Sequence, residues 1–408
     1  MKKKFGLLGE KLKHSFSPRI HSFLGSYEYS LYEIAPCDLD TFMKKKEWDG
    51  INVTIPYKQA VIPYCKSLSP EAQTTGSVNT IIREKDGSLS GHNTDYFGFC
   101  VMLERANIGI KEKKTLVLGD GGSAKTVRHA LKQLGAGEVI TVSRRCENNY
   151  ENIAKHYDAQ IIVNTTPVGM FPDNGNSPLN IKGFLQLTGV ADIVYNPMRT
   201  KLLLDAQRLN ILNVNGLAML AAQAEMASRL FINEKARPQL VDLIIKSLVK
   251  DTQNIALIGM PGCGKSTTGK ILAEKMNRQF IDTDDQIVKA AGKSVKDIFL
   301  EDTEDAFRKL ESRVLAEETK KSGVVIAAGG GVVTRNENLD LLRQNSLVVY
   351  LKRDLSDLAI DGRPLSRNVG IEILAKQRLP LYEEWSDCAF NIQENPDKTS
   401  EQILEYYK

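Results

Sequence analysis

No apolar stretch in the 408 residues approaches the ~20 that a membrane-spanning helix needs, so no membrane partner is expected. The opening segment MKKKFGLLGEKLKHS starts like a secretory leader. Its apolar part, residues 5–9, is cut short by Glu10 and Lys11, well below the ~7–15 residues of such a core. A soluble, cytoplasmic chain is the expectation. Cysteines are few and scattered: Cys37, Cys65, Cys100, Cys146, Cys263 and Cys388, with no CxxC among them. The five histidines, His14, His21, His92, His129 and His156, form no HExxH. A zinc site and a disulfide framework are therefore not expected, and free thiols in a reducing compartment are. Charge is nearly balanced, at a net +4, too small an excess to point to nucleic acid.

What remains is an ordinary globular composition, 42% hydrophobic and 25% charged. The length suits two or three domains at ~150 residues each. Two strand-like apolar runs, residues 115–118 and 255–258, each lead into a glycine loop and then a helical pattern. The loops differ in spacing, so they are two nucleotide-binding units and not a repeat. Between them, residues 249–254 read as a short polar linker. The boundary falls there, giving a first part of residues 1–250 and a second of 254–408. Short strands alternate with helices over 1–100, and a βα rhythm runs through 101–216, with an apolar helical stretch from residue 217. The expected class is α/β: a substrate subdomain (1–100 with 217–248), a doubly wound dinucleotide subdomain (101–216) and a P-loop unit with a parallel sheet.

The first loop, Gly119-Asp120-Gly121-Gly122-Ser123-Ala124, fits G-x-G-x-x-A. The first glycine permits the turn, the second admits a pyrophosphate to the backbone, and the small third position lets helix and strand pack. Free N–H groups at the helix start favour an anion. The next strand ends in Ser143-Arg144-Arg145 where an NAD site usually has an acid. Arginines there suit a 2′-phosphate, so NADP is the expected cofactor. Asp120 is out of place beside a pyrophosphate unless it points outward.

The second loop, Gly259-Met260-Pro261-Gly262-Cys263-Gly264-Lys265-Ser266, is a complete Walker A sequence. Its backbone wraps phosphates, Lys265 reaches their oxygens, and Ser266, followed by Thr267, ligates Mg²⁺. ATP and Mg²⁺ are the expected cofactors of this half.

The polar clusters HSFSPRIH, NVTIPYK, GSVNT and GHNTD precede the first loop, and NTTPVGM, DIVYNP and NGLAMLAAQA follow it. Each alone is bland. In this order they resemble the shikimate dehydrogenase family over residues 1–245. The resemblance implies hydride transfer between NADP and 3-dehydroshikimate or shikimate. Lys58 and Asp95 match its catalytic pair. Ser15 and Ser17 match the hydroxyls that hold the substrate carboxylate. Thr54, Asn79 and Gln223 match further polar ligands, and Tyr195 does so less closely. Ile193 and Gly216 match positions beside the nicotinamide.

After the second loop come Asp282-Thr283-Asp284, the helix start Ala306-Phe307-Arg308, Gly329-Gly330-Gly331, Gly362-Arg363-Pro364, and an arginine near a helix end in Arg378-Leu379-Pro380. This series resembles shikimate kinase over 254–395. By that resemblance Asp284 holds the substrate hydroxyls and acts as base, with Asp282 near the metal. Arg308 and Arg378 bind the carboxylate, Gly330 lets substrate approach the backbone, and Arg363 closes over the phosphates. Together the two halves read as a fused enzyme with small-molecule substrates, one half making shikimate and the other consuming it. A non-catalytic binding module, a nucleotide-binding signalling chain and quinate activity are the alternatives. A homo-oligomer is left open.

Overall fold

The computed structural model describes residues 3–12, 15–294, 297–298, 303–358, 370–393 and 395–407. Arg363 and the rest of 359–369 lie outside them. The chain divides into two compact units: Met1–Tyr195 with Thr200–Ser247, and Leu248–Lys408 with Asn196–Arg199.

The first unit opens with β1 (Lys4–Gly9), α1 (Ser17–Leu24), β2 (Glu28–Glu33), α2 (Leu39–Lys45), β3 (Gly50–Val53), β4 (Ser67–Leu68), α3 (Pro70–Thr75), β5 (Thr80–Arg83), β6 (Leu89–His92) and α4 (Thr94–Arg105). Its strands pair in the order β2-β1-β3-β5-β6-β4. β1 runs parallel to β2 and β3, while β5 is antiparallel to β3 and β6. The order places the end of β3 and the start of α4 side by side, which brings Lys58 to Asp95.

A parallel sheet follows, from β7 (Lys114–Leu118), α5 (Gly122–Gln133), β8 (Glu138–Val142), β9 (Ile161–Asn164), β10 (Gly189–Asp192), α6 (Lys201–Arg208) and β11 (Leu212–Val214). Its order is β11-β10-β9-β7-β8. β7 carries alternate side chains to two cores. Val117 packs with α4 and α5, and Leu116 and Leu118 pack on the α6 side. Burial on both faces explains why the strand reads as an unbroken apolar run. The chain then returns through α7 (Leu217–Ile232) to the substrate subdomain. Gly98 allows α4 to cross α7, because a Cβ there would stand 2.6 Å from the Met219 carbonyl oxygen.

Next is α8 (Pro238–Thr252). Residues 249–252, read from sequence as linker, complete this helix, and Asn254 already belongs to the next strand. Thr252 Oγ1 donates to Leu248 O at 2.7 Å, so a polar side chain that suggested a loop is satisfied inside the helix.

The second unit contains β12 (Asn254–Ile258), α9 (Lys265–Met276), β13 (Phe280–Asp282), α10 (Thr283–Ala291), α11 (Glu304–Glu318), β14 (Val325–Ala327), α12 (Glu337–Asn345), β15 (Ser346–Lys352), α13 (Ile371–Trp385), β16 (Cys388–Asn391) and α14 (Pro396–Tyr407). The parallel order β13-β14-β12-β15-β16 puts the Walker strand β12 at the centre. Arg378 was expected near a helix end, yet α13 runs on through Pro380. A proline inside a helix removes one backbone bond at a cost of ~3 kcal/mol. Buried Tyr382 and Trp385 anchor the turn beyond it in the core and offset that loss.

Candidate active sites

In the first unit Lys58 Nζ donates to Asp95 Oδ2 at 2.6 Å. Asp95 is 4% exposed, in the first turn of α4. The Asn93 side chain caps that helix by accepting the Tyr96 N–H at 3.3 Å. Lys58 is held by its own backbone, since its carbonyl accepts the Val78 N–H at 2.8 Å.

Two adjoining cavities meet at this pair. The larger, of about 770 Å³, takes in Ser15, Ser17, Asn79 and Gln223. The smaller, of about 390 Å³, takes in Asp95, Gly122, Ser123, Ile193 and Gly216. Thr54, Lys58, Tyr195, Leu220 and Gln223 line both. One end of the cleft is therefore hydroxyl-rich and the other opens on the glycine loop. Asn79 Nδ2 donates to Thr94 Oγ1 at 3.0 Å and to Gln223 Oε1 at 3.2 Å, which joins β5, α4 and α7 beneath the cleft. Ser15 Oγ accepts the Ser17 N–H at 3.2 Å.

The glycine loop lies where β7 and β9 diverge, the switch point at which such sheets bind ligands. Gly119 has φ +106° and faces Thr165, leaving 2.9 Å between a Cβ and Thr165 Oγ1. Gly121 and Gly122 have open space where a Cβ would stand. That cradle, at the N-terminus of α5, fits a pyrophosphate. Asp120 is exposed and accepts a hydrogen bond from Ser143 Oγ at 3.3 Å. Its carboxylate thus faces Ser143 and ties the loop to the end of β8. Arg144 and Arg145 follow there, both exposed. Replacing both is expected to raise the KM for NADPH by at least about tenfold and leave that for NADH within about twofold. Equal effects on the two cofactors would contradict a 2′-phosphate site.

Two residues of this unit escaped the sequence reading. His21 lines the larger cavity, four residues after Ser17 and so on the same face of α1. Its Nδ1 shares a 2.7 Å hydrogen bond with Tyr27 Oη, and its ring stacks on Tyr29 at 3.9 Å. Burial lowers its pKa to about 3, so it is a neutral wall.

Asp192 is the second. At the end of β10, fully buried, it accepts hydrogen bonds from Asn164 Nδ2 (3.0 Å), the Val194 N–H (3.0 Å) and Thr200 Oγ1 (2.7 Å). These bonds set the turn that carries Ile193 and Tyr195 into the cleft. Gly216 closes against that turn, where a Cβ would meet the Ile193 carbonyl.

Burial pushes the Asp192 carboxyl up to about 7. A folded pKa above the unfolded ~3.9 means that the folded chain holds an extra proton between those values. This contribution to stability is full at low pH and is lost as pH rises through about 7. The Asp192→Asn variant lacks it. From about pH 5 to 7 the variant should therefore gain on wild type by up to about 1.4 kcal/mol per pH unit in denaturant melts. Identical pH slopes would contradict this reading.

In the second unit Gly259, Gly262 and Gly264 take φ of +148°, +84° and +107°. These values shape the Walker loop and favour glycine. Lys265 Nζ donates to Gly259 O at 2.9 Å and Met260 O at 3.0 Å. Cys263 is buried and its N–H bonds Met260 O at 3.2 Å, so it contributes to the loop's shape. Ser266 and Thr267 are exposed at the start of α9. Ser266 Oγ donates to Asp282 Oδ2 at 2.6 Å. A hydroxyl and a carboxylate side by side are hard oxygen donors, and they fit Mg²⁺ held jointly with phosphates.

Arg308, 6% exposed, donates to Glu311 Oε2 at 2.7 Å, and Arg378, 4% exposed, donates to Gly330 O at 3.2 Å. The Nε atoms of both arginines are buried with no partner among the described residues. Burial, then the carboxylates of Asp282 and Glu311, push Asp284 up to about 6 against the pull of Lys265 and Arg308. The three glycines are needed for packing. A Cβ at Gly329 would lie 3.1 Å from Asp284 Oδ1, one at Gly330 would strike Pro261 at 2.6 Å, and one at Gly331 would strike the Arg308 guanidinium. Gly330 thus approaches the Walker loop itself, while its carbonyl accepts from Arg378 and Tyr382. Glu311 was not singled out from sequence, although its i,i+3 spacing from Arg308 is legible there.

Fold and sites together define a two-part enzyme: a dinucleotide-type oxidoreductase unit followed by a P-loop phosphotransferase unit. Residues 7–81 match the family model "Shikimate dehydrogenase substrate binding domain", and residues 261–408 match "Shikimate kinase". A shikimate dehydrogenase (NADP⁺) of Clostridium beijerinckii is 37% identical over 249 residues, covering 56% of this chain and 91% of the relative. The crystal structure of a chorismate mutase/shikimate 5-dehydrogenase fusion protein from Clostridium acetobutylicum matches with a TM-score of 0.58 at 33% identity, covering 61% of this chain and 97% of that one. Shikimate 5-dehydrogenase from Thermus thermophilus in complex with NADP(H) and shikimate matches with a TM-score of 0.55 at 30% identity, covering 60% and 99%. The chain belongs to the shikimate dehydrogenase family over its first unit, and a shikimate kinase domain follows it.

Proposed function

We propose that this chain reduces 3-dehydroshikimate to shikimate with NADPH and phosphorylates shikimate to shikimate 3-phosphate with MgATP. The observation that carries the first reaction is the 2.6 Å Lys58–Asp95 pair between the Ser15/Ser17 end of the cleft and its glycine-loop end. NADPH on the glycine loop supplies the hydride. Ser15 and Ser17 hold the substrate carboxylate through their hydroxyls, while Thr54, Asn79, Gln223 and Tyr195 bind the ring substituents. The Lys58–Asp95 pair holds the carbonyl oxygen and delivers the proton that turns it into a hydroxyl. Ile193 and Gly216 border the nicotinamide.

In the second unit MgATP supplies the phosphoryl group. The Walker loop with Lys265 holds its phosphates, and Ser266 with Asp282 would hold the metal. The guanidinium groups of Arg308 and Arg378 bind the carboxylate, since guanidinium forks match a planar anion. Asp284 accepts the proton of the attacked hydroxyl, and its raised pKa suits a base. The chain works in a reducing, cytoplasmic compartment, in keeping with cysteines that are all free thiols. Among the described residues, no helix is long and apolar enough to cross a membrane.

Two assays on the purified full chain test the proposal. 3-Dehydroshikimate should drive NADPH oxidation, and shikimate with MgATP should drive ADP release. Failure of either would remove that half.

A further inference from the structure

A groove of about 470 Å³ in the first unit shares no lining residue with the cleft. One wall is the C-terminal end of α3, residues 73–76. The other is a face of α5 bearing Lys125, Arg128, His129 and Lys132. The spacing i, i+3, i+4, i+7 puts these four side chains in one row. No acidic side chain lines the groove. Arg128 spends one nitrogen on Thr141 Oγ1 at 2.9 Å, and the His129 ring packs on Tyr96 at 5.5 Å. Among the described residues, none of the four basic groups forms an ion pair. The like charges of Lys125, Arg128 and Lys132 repel one another, and an anion in the groove would relieve that repulsion.

The groove also meets the catalytic machinery through one buried amide. Asn93 Nδ2 donates to Thr75 Oγ1 at 3.0 Å, on one wall, and to Thr126 Oγ1 at 3.2 Å, on the helix that forms the other. The same side chain caps α4, two residues before Asp95. Both walls are therefore tied to the group that sets where the helix bearing Asp95 begins.

We propose that this groove binds a small phosphate-bearing anion, and that the bound anion adjusts the placement of Asp95 through Asn93. Phosphate oxygens match the lysine and arginine donors of this row. The second half of the proposal rests on the dehydrogenase reading given above. Two sources share the ligand chemistry: inorganic pyrophosphate and the phosphate ester formed by the kinase unit.

The test is calorimetry on the full chain with NADP⁺ and ADP saturating both glycine loops, so that pyrophosphate finds neither. One pyrophosphate per chain is expected. Its affinity should fall by at least about tenfold in the Lys125→Glu/Lys132→Glu variant, whose basal activities should match wild type. Hydrogen exchange should slow at residues 73–76 and 125–132. No binding, or binding insensitive to the charge reversal, overturns the site. Shikimate 3-phosphate in place of pyrophosphate identifies the source: a response lost in the variant assigns the chain's own product to the groove, and one retained there excludes it. With NADPH saturating, pyrophosphate should shift the KM for 3-dehydroshikimate by at least about twofold in wild type alone. An unchanged KM despite binding overturns the link to Asp95. The calorimetry does not depend on turnover, so loss of the site and loss of the dehydrogenase reading are separable.

Discussion

Replacing Lys58 with alanine lowers 3-dehydroshikimate reduction by about 10³-fold in kcat/KM, within the range for losing a positioned proton donor. ADP formation from shikimate and MgATP stays within about twofold, because no residue of the Walker loop lines the cleft. The argument rests on geometry. Lys58 supplies a salt-bridge partner for a carboxylate that is only 4% exposed. Without it Asp95 is left buried with its charge uncompensated, and the carbonyl oxygen loses the ammonium that stabilises its developing charge. Asp95→Asn serves as the companion variant. It keeps the shape, so a folded chain with a similar loss assigns the effect to the pair and not to collapse of the cleft. A Lys58→Ala chain that also lost ADP formation while folded would contradict independent sites.

The second large effect is the converse. Lys265→Ala lowers shikimate phosphorylation by at least about 10²-fold, the scale for removing a preorganised donor at a developing charge. NADPH oxidation should be unaffected. Lys265 is fixed over the loop by the Gly259 and Met260 carbonyls, and its ammonium lies close enough to Asp284 to act on that carboxyl's pKa. Removing the charge thus strips a phosphate donor and pushes Asp284 further toward its neutral form. The pH profile of the residual phosphorylation should then shift upward. Near-wild-type turnover in this variant would contradict the assigned role of the loop.

Both nucleotide loops were legible because their glycines and the strands before them are contiguous in sequence. Lys58 and Asp95, which the fold pairs at 2.6 Å, and the buried Arg308 and Arg378 could also be picked out, through ordered motifs. Residues whose importance comes from burial were not. Asp192 reads as a strand end until three donors from distant segments surround it. His21 was counted only as a histidine outside any metal motif, although its spacing from Ser17 was visible. Glu311 becomes notable once its partner Arg308 is found buried beside it. Asp120 looked unfavourable because Ser143, 23 residues away, could not be seen to orient it. The supposed linker at 249–252 was misread from polarity, because the bond from Thr252 back to Leu248 hides inside the helix. Pro380 misled in the same way, since the Tyr382 and Trp385 packing that holds its helix together is tertiary. The basic row on α5 reads as an ordinary solvated face until the end of α3 makes it concave.

The account stands on a single acid being recognised twice in one polypeptide. Titrating shikimate into the full chain by calorimetry measures this directly. Two equivalents should bind per chain. Ser15→Ala with Ser17→Ala should remove one and Arg378→Ala the other. One equivalent in wild type, or a variant set that abolishes both together in a folded chain, would contradict it.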